Sequence, residues 1–111
     1  MKSVVLRDTR DADGVRYLAV HRKEDGGIVI EGQDLGRGVE RAFGKSLTEY
    51  EWSWSISPDA VPALVAALGG VEDEDPLQLL TDWFEVHGKT DPGIHLRDAG
   101  VPVAFWSRVG D

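Results

Sequence analysis

The chain has 111 residues and no cysteine, so a disulfide framework, a thiolate zinc site and a cysteine nucleophile are all excluded. Its formal net charge of −8 opposes binding to nucleic-acid phosphates or to anionic membranes, whereas a basic protein partner is compatible with that charge. The length and the 41% hydrophobic content predict one globular domain over residues 1–111, and no apolar run approaches the about 20 residues of a membrane span.

The first third of the chain predicts three strands joined by tight turns. Ser3–Asp8, Val15–Arg22 and Ile28–Glu31 are rich in apolar and β-branched residues, and Gly32 closes the third. Asp and Gly residues between them supply the positive φ of hairpin turns, which favours an antiparallel meander. Apolar residues spaced as on a helix then predict one or two helical turns within Asp34–Gly44.

A fourth strand is predicted by a strict alternation over Glu49–Ile56. A period of two over eight residues is typical of a strand with one buried and one solvated face. The two faces carry different chemistry, with Tyr50, Trp52, Trp54 and Ile56 on the first and Glu49, Glu51, Ser53 and Ser55 on the second.

Three pairs of a capping residue and a proline predict the starts of three helices, at Ser57-Pro58, Asp75-Pro76 and Asp91-Pro92. Glycine follows each helix, with Gly88 ending the second, and residues 101–109 predict a last strand that we expect to lie beside the aromatic fourth strand. Strands come first and helices follow, which favours an α+β fold of about five antiparallel strands, with two main helices and shorter ones on one face.

We expect aromatic side chains to dominate the core. Trp106 lies on the opposite face of the last strand from Phe105 and is the best candidate for an exposed aromatic residue. The core candidates are Trp52, Trp54, Trp83, Phe84 and Phe105.

The leading hypothesis is a non-enzymatic protein-binding module, immunity-like or regulatory, that takes a basic protein partner. The acidic charge and the absence of a recognisable catalytic motif favour it. A solvated sheet face is, however, the commoner explanation of the polar side chains on one side of the fourth strand. An exposed tryptophan would serve there as a binding hot spot. The predicted partner-binding residues are Glu49, Glu51, Trp106 and Arg108.

The alternative hypothesis is a small-molecule-binding domain or minor enzyme with a pocket between sheet and helices. Its polar groups would be His21, Glu31 and Asp34, because Glu31 and Asp34 flank a glycine at a strand end where loops often carry function. The two carboxylates suit acid–base chemistry or a hard cation. The plainer interpretation makes Asp34 the cap of the short helix and Glu31 part of a solvated strand face.

No metal and no cofactor is expected. His87 and His95, with Asp91, could approach one another, but their loose spacing is a weak metal signal, and a histidine at a helix C-terminus also interacts favourably with the helix dipole. The glycines near residue 36 lack the pattern of a phosphate-binding loop, and no serine nucleophile motif is present.

Two further expectations concern assembly and compartment. An exposed edge at the last strand could pair with a second copy of the chain, giving a homodimer. Met1–Leu6 lacks the long apolar segment of a secretory signal, and Arg7 and Asp8 follow at once. Together with the lack of cysteine, this predicts a cytoplasmic protein.

Three segments resemble small acidic uncharacterised proteins that are common in actinobacteria: Ile28–Gly36, Glu49–Trp52 and Val103–Arg108. That group has no established activity, cofactor or binding residue, so the resemblance implies none for this chain. Small acidic α+β proteins also include immunity proteins that neutralise toxins, which is a likeness of type only.

Overall fold

The computed structural model describes residues 2–44, 47–87 and 90–110. Within them, five strands form one antiparallel sheet whose spatial order follows the chain: β1 (Lys2–Asp11), β2 (Gly14–Arg22), β3 (Ile28–Leu35), β4 (Glu49–Ile56) and β5 (Ala104–Gly110). The same ranges hold four α-helices: α1 (Arg37–Phe43), α2 (Val61–Ala67), α3 (Pro76–Val86) and α4 (Pro92–Asp98). The predicted α+β fold is confirmed, as is the pairing of the last strand with the aromatic strand.

The first three strands are longer than the sequence pattern predicts, and β4 has the predicted bounds. The predicted start of the last strand at residue 101 is wrong, because β5 begins at Ala104, after Pro102, which has no N–H to donate to a ladder. β3 continues to Leu35 and does not end at Gly32, so that predicted end is wrong. The physical reason is the indole of Trp52 on β4, which lies against Gly32 so closely that a Cβ there would overlap it. Glycine at this position therefore makes room for a neighbouring ring instead of ending the strand.

Two of the three predicted helix starts are confirmed in detail. The side chain of Asp75 accepts the N–H of Leu77 at 2.9 Å, and that of Asp91 accepts the N–H of Gly93 at 2.8 Å. Ser57 makes no such bond in the described structure, and a 3-10 turn over Pro58–Ala60 precedes α2. The predicted end of α3 at Gly88 lies outside the described residues.

Helices α2, α3 and α4 cover one face of the sheet. Cross-strand neighbours such as Val20, Ile30 and Trp54 point toward them and pack with the fully buried ring of Phe84. The other face carries none of these three helices, and we refer to it as the open face. No helix in the described ranges combines the length and apolar character needed to cross a bilayer.

Most of the predicted aromatic core is confirmed, because Trp52, Trp54 and Phe84 are buried, while Trp83 is half-buried. The assignment of Phe105 to the core is wrong, since its side chain is 50% exposed. Phe105 does contact Trp54, with ring centroids 4.4 Å apart. It stays half exposed because β5 is an edge strand and no further strand flanks it within the described sheet.

Candidate functional site

The open face brings the four predicted partner-binding residues together. The register pairs Glu51 with Arg108 and Ser53 with Trp106, so β4 and β5 present these side chains on the same side. Glu49 lies two residues before Glu51 and shares that side. The alternation of β4 therefore gives one strand a buried aromatic face and an acidic open face.

The guanidinium of Arg108 forms ion pairs with two carboxylates on this face. Arg108 Nη2 lies 3.0 Å from Glu49 Oε2, and Arg108 Nε lies 3.8 Å from Glu51 Oε2. Gln33 on β3 donates from Nε2 to Glu51 Oε1 at 3.2 Å. The group stays acidic as a whole, because a single positive charge is shared between two negative ones.

Trp106 is the exposed aromatic residue that the alternation predicts. Its side chain is 51% exposed and borders a shallow depression of about 360 Å³, which Tyr17, Glu31 and Glu51 also line. A large indole held half out of the surface has apolar area that a partner can remove from water. Carboxylates around it supply charged hydrogen-bond acceptors.

A hydrogen-bonded chain of three side chains crosses β1, β2 and β3 on the open face. Ser3 Oγ lies 2.7 Å from His21 Nδ1, and His21 Nε2 lies 2.7 Å from Glu31 Oε1. A neutral imidazole with its proton on Nε2 donates to Glu31 and accepts from the Ser3 hydroxyl. Serine, histidine and carboxylate then stand in the order of nucleophile, base and orienting group.

Sequence reasoning missed Ser3, although it named His21 and Glu31. Ser3 and His21 are direct cross-strand partners, 18 residues apart in the chain. Only the hairpin register shows this neighbourhood, and the alternation of β1 and β2 alone does not set that register.

Asp34 lies apart from His21 and Glu31. It is three residues beyond Glu31 on the same regular strand, so its side chain points to the opposite face, where Arg16 Nε is 3.8 Å away. Burial raises the pKa of the Asp34 carboxyl, and the nearby positive charges of Arg16 and Arg7 oppose that rise. The helix cap expected of Asp34 is wrong, because Gly36 occupies the cap position of α1.

The histidines near α3 and α4 bond to backbone carbonyls. His87 Nδ1 lies 2.9 Å from the carbonyl of Trp83, and His95 Nε2 lies 3.0 Å from that of Ala67. Their rings stack against the Trp83 indole at 4.5 and 4.8 Å. Asp91 instead accepts the indole N–H of Trp54 at 2.9 Å. In the part of the chain that the structure describes, no three potential metal ligands converge.

A second concave surface lies between β4, β5 and α4 on the helix-covered side. It measures about 390 Å³ and is bordered by Tyr50, Trp52 and Phe105 of the sheet and by Ile94 and Arg97 of α4. Neither His21 nor Glu31 borders it. This pocket therefore contains neither of these two predicted polar groups, whereas Asp34 lines a separate pocket of about 310 Å³ between the sheet and α1.

No family model, curated protein or solved structure matches this chain.

Proposed function

We propose that this protein is a non-enzymatic, cytoplasmic protein-binding module whose open sheet face takes a basic protein partner. The observation that carries the proposal is Trp106, half exposed beside the acidic group of Glu49 and Glu51. Exposed tryptophans at the centre of a polar rim are frequent hot spots of protein interfaces.

The charge of the site supports a basic partner over an acidic one. Glu31 and Glu51 line the depression beside Trp106 on the open face, Glu49 lies further along β4, and Arg108 is shared between Glu49 and Glu51. The chain as a whole carries −8, so its field attracts positively charged proteins and speeds their encounter.

The proposal is tested by capture of a partner from the host with tagged wild type and two variants, Trp106→Ala and Glu51→Lys. Both variants are expected to lose a stoichiometric basic protein that wild type retains, and high salt should weaken the wild-type complex. Phe105→Ala is the matched control, because Phe105 is the adjacent residue, is equally exposed and lies on the other face. Equal capture by Trp106→Ala and wild type would contradict the assignment.

Arg108→Gln tests the sign of the partner's charge. Arg108 holds the carboxylates of Glu49 and Glu51, so its removal leaves both free for a partner's lysine or arginine. Affinity for a basic partner is expected to rise, measured by calorimetry with the captured protein. A loss of affinity would show that Arg108 itself contacts the partner and would contradict recognition through the two carboxylates.

A second candidate function, a small-ester hydrolase, is favoured by the Ser3–His21–Glu31 chain. Ser3 Oγ would attack the ester carbonyl while His21 Nδ1 takes its proton and passes it to the leaving alcohol. A water molecule that His21 deprotonates would then hydrolyse the acyl-Ser3 ester, releasing the acid and regenerating the Ser3 hydroxyl. Hydrolysis of 4-nitrophenyl acetate by wild type, Ser3→Ala and the open-face control Ser53→Ala tests it. Activity lost only in Ser3→Ala supports the candidate, and equal rates in all three end it.

A further inference from the structure

The two edges of the sheet are built differently. β1 carries an irregularity between Val5 and Arg7 that interrupts its register, whereas the register of β5 is continuous over residues 104–110. A bulge and a high density of charge protect an edge from pairing with another strand. β5 instead leaves apolar side chains exposed, namely Phe105, Trp106 and Val109.

The unpaired backbone groups of β5 belong to its odd-numbered residues. Gly36 N–H donates to the carbonyl of Thr48, so the carbonyl of that even-numbered position faces β3, and the carbonyl of the even-numbered Gly110 accepts the N–H of Thr48 and so faces β4. Groups of successive residues alternate in direction, and the odd residues of β4 therefore face β5. Their register partners, including Trp106 and Arg108, face β4 in return. Phe105, Ser107 and Val109 are left to point their N–H and C=O groups outward.

We propose that two copies of this chain pair through antiparallel β5 strands about a two-fold axis at Ser107. This register places Ser107 opposite Ser107 of the second copy and Phe105 opposite its Val109. Each outward N–H and C=O of these three residues then finds a partner, and the seven residues of the strand are all paired. An axis perpendicular to the sheet keeps the two open faces on one side, giving a continuous sheet of ten strands, five from each copy.

The side chains fit this register on both faces. Phe105 packs beside Val109 of the second copy on the helix-covered side, so two exposed apolar groups cover each other. On the open face Trp106 lies opposite Arg108 of the second copy, whose guanidinium stays paired with Glu49 and Glu51 of its own chain. The charged side chain of Arg108 does not face its own equivalent, so the register brings no like charges directly together.

Cysteine cross-linking tests the register, since the natural chain has no thiol. In Ser107→Cys the two Cα atoms would lie about 5.5 Å apart, within the range that a disulfide spans. In Ala104→Cys they would be separated by six residue steps, or about 20 Å, and no bond is possible within the dimer. Rapid dimer formation on mild oxidation of Ser107→Cys alone is expected. Equal cross-linking of both variants, or of neither, would overturn the register.

Sedimentation of the natural chain over a wide concentration range tests the pairing without any cross-link. A dimer that Ser107→Lys converts to a monomer is expected, because two like charges would meet on the axis. Ser55→Lys on β4 is the matched control and should remain a dimer, since Ser55 is exposed and lies away from the free edge. A natural chain that stays monomeric throughout contradicts the proposal.

This proposal and the proposed function fail separately. The proposed dimer forms through backbone hydrogen bonds at the outer edge of β5. The side chain of Ser107 points to the face opposite Trp106, Glu49 and Glu51. Partner capture by Ser107→Lys would therefore report on the open face even in a monomer.

Discussion

The two faces of the sheet use the same strand in different ways. On the helix-covered face, Trp54 and Ile56 of β4 are buried against helices and against Phe84, whose ring is 0% exposed. On the open face, Glu49 and Glu51 meet water and Trp106 stands half exposed beside them. The first face accounts for folding by removing apolar area from water. An indole on the second face adds little to that core, so its presence calls for another role.

The largest expected effect is a difference in stability between variants that lose an aromatic ring on the covered face and on the open face. Phe84→Ala removes a fully buried ring and should cost about 3–5 kcal/mol in the free energy of unfolding. Trp106→Ala removes a larger ring from the open face and should cost less than about 1 kcal/mol. Urea unfolding of both variants checks this. Similar losses would show that Trp106 belongs to the folding core and would remove the contrast between the faces.

A smaller loss of stability is expected from a change at Gly32 of β3, where the Trp52 indole packs on the backbone. Gly32→Ala forces a methyl group against the Trp52 indole, and overpacking of this kind typically costs about 1–3 kcal/mol. The tryptophan emission should shift as the ring moves. Gly110→Ala is the control, because a Cβ there makes only ordinary contact with Arg108. No difference between the two alanine variants would mean that Trp52 does not pack on Gly32.

The helix caps test how α4 is attached to the covered face. Asp75→Ala removes a cap alone and should cost about 1 kcal/mol. Asp91→Ala removes a cap and also the acceptor of the Trp54 indole N–H, so it should cost about 1 kcal/mol more. Thermal unfolding of both compares them. Equal losses would show that the bond from Trp54 contributes nothing to stability.

The smallest expected effect depends on pH. Burial raises the pKa of Asp34, so the folded state favours its neutral form, and ionisation of Asp34 costs stability as the pH rises through that raised pKa. Asp34→Asn should therefore stabilise the protein at neutral pH, by less than about 1 kcal/mol because solvent screens the partly exposed group. The gain should vanish in acid, below the ordinary carboxyl pKa of about 4.

Thermal unfolding of wild type and Asp34→Asn at several pH values between acid and neutral checks this sign. A variant less stable than wild type at neutral pH would show that attraction to Arg16 outweighs the burial of the carboxyl.

Local patterns were enough to predict much of the fold and part of the site. The alternation of Glu49–Ile56 and the Asp-Pro caps act over a few residues, so the strand, two helix starts and the shared side of Glu49 and Glu51 follow from sequence. The rest depends on residues distant in the chain. The course of β3 past Gly32 depends on Trp52, and the exposure of Phe105 depends on which strand forms the edge.

Site-specific photo-crosslinking in the host tests most directly the claim that the open face binds a protein partner. A photoreactive phenylalanine analogue would replace Trp106 in one variant and Phe105 in another, so that two adjacent, equally exposed positions sample opposite faces. We expect a covalent adduct with a different, basic protein from position 106 and no adduct with a different protein from position 105, whereas an adduct with a second copy of the chain would report only the pairing of β5. An adduct with a different protein formed only from position 105, or from neither position, would contradict the proposed role of the open face.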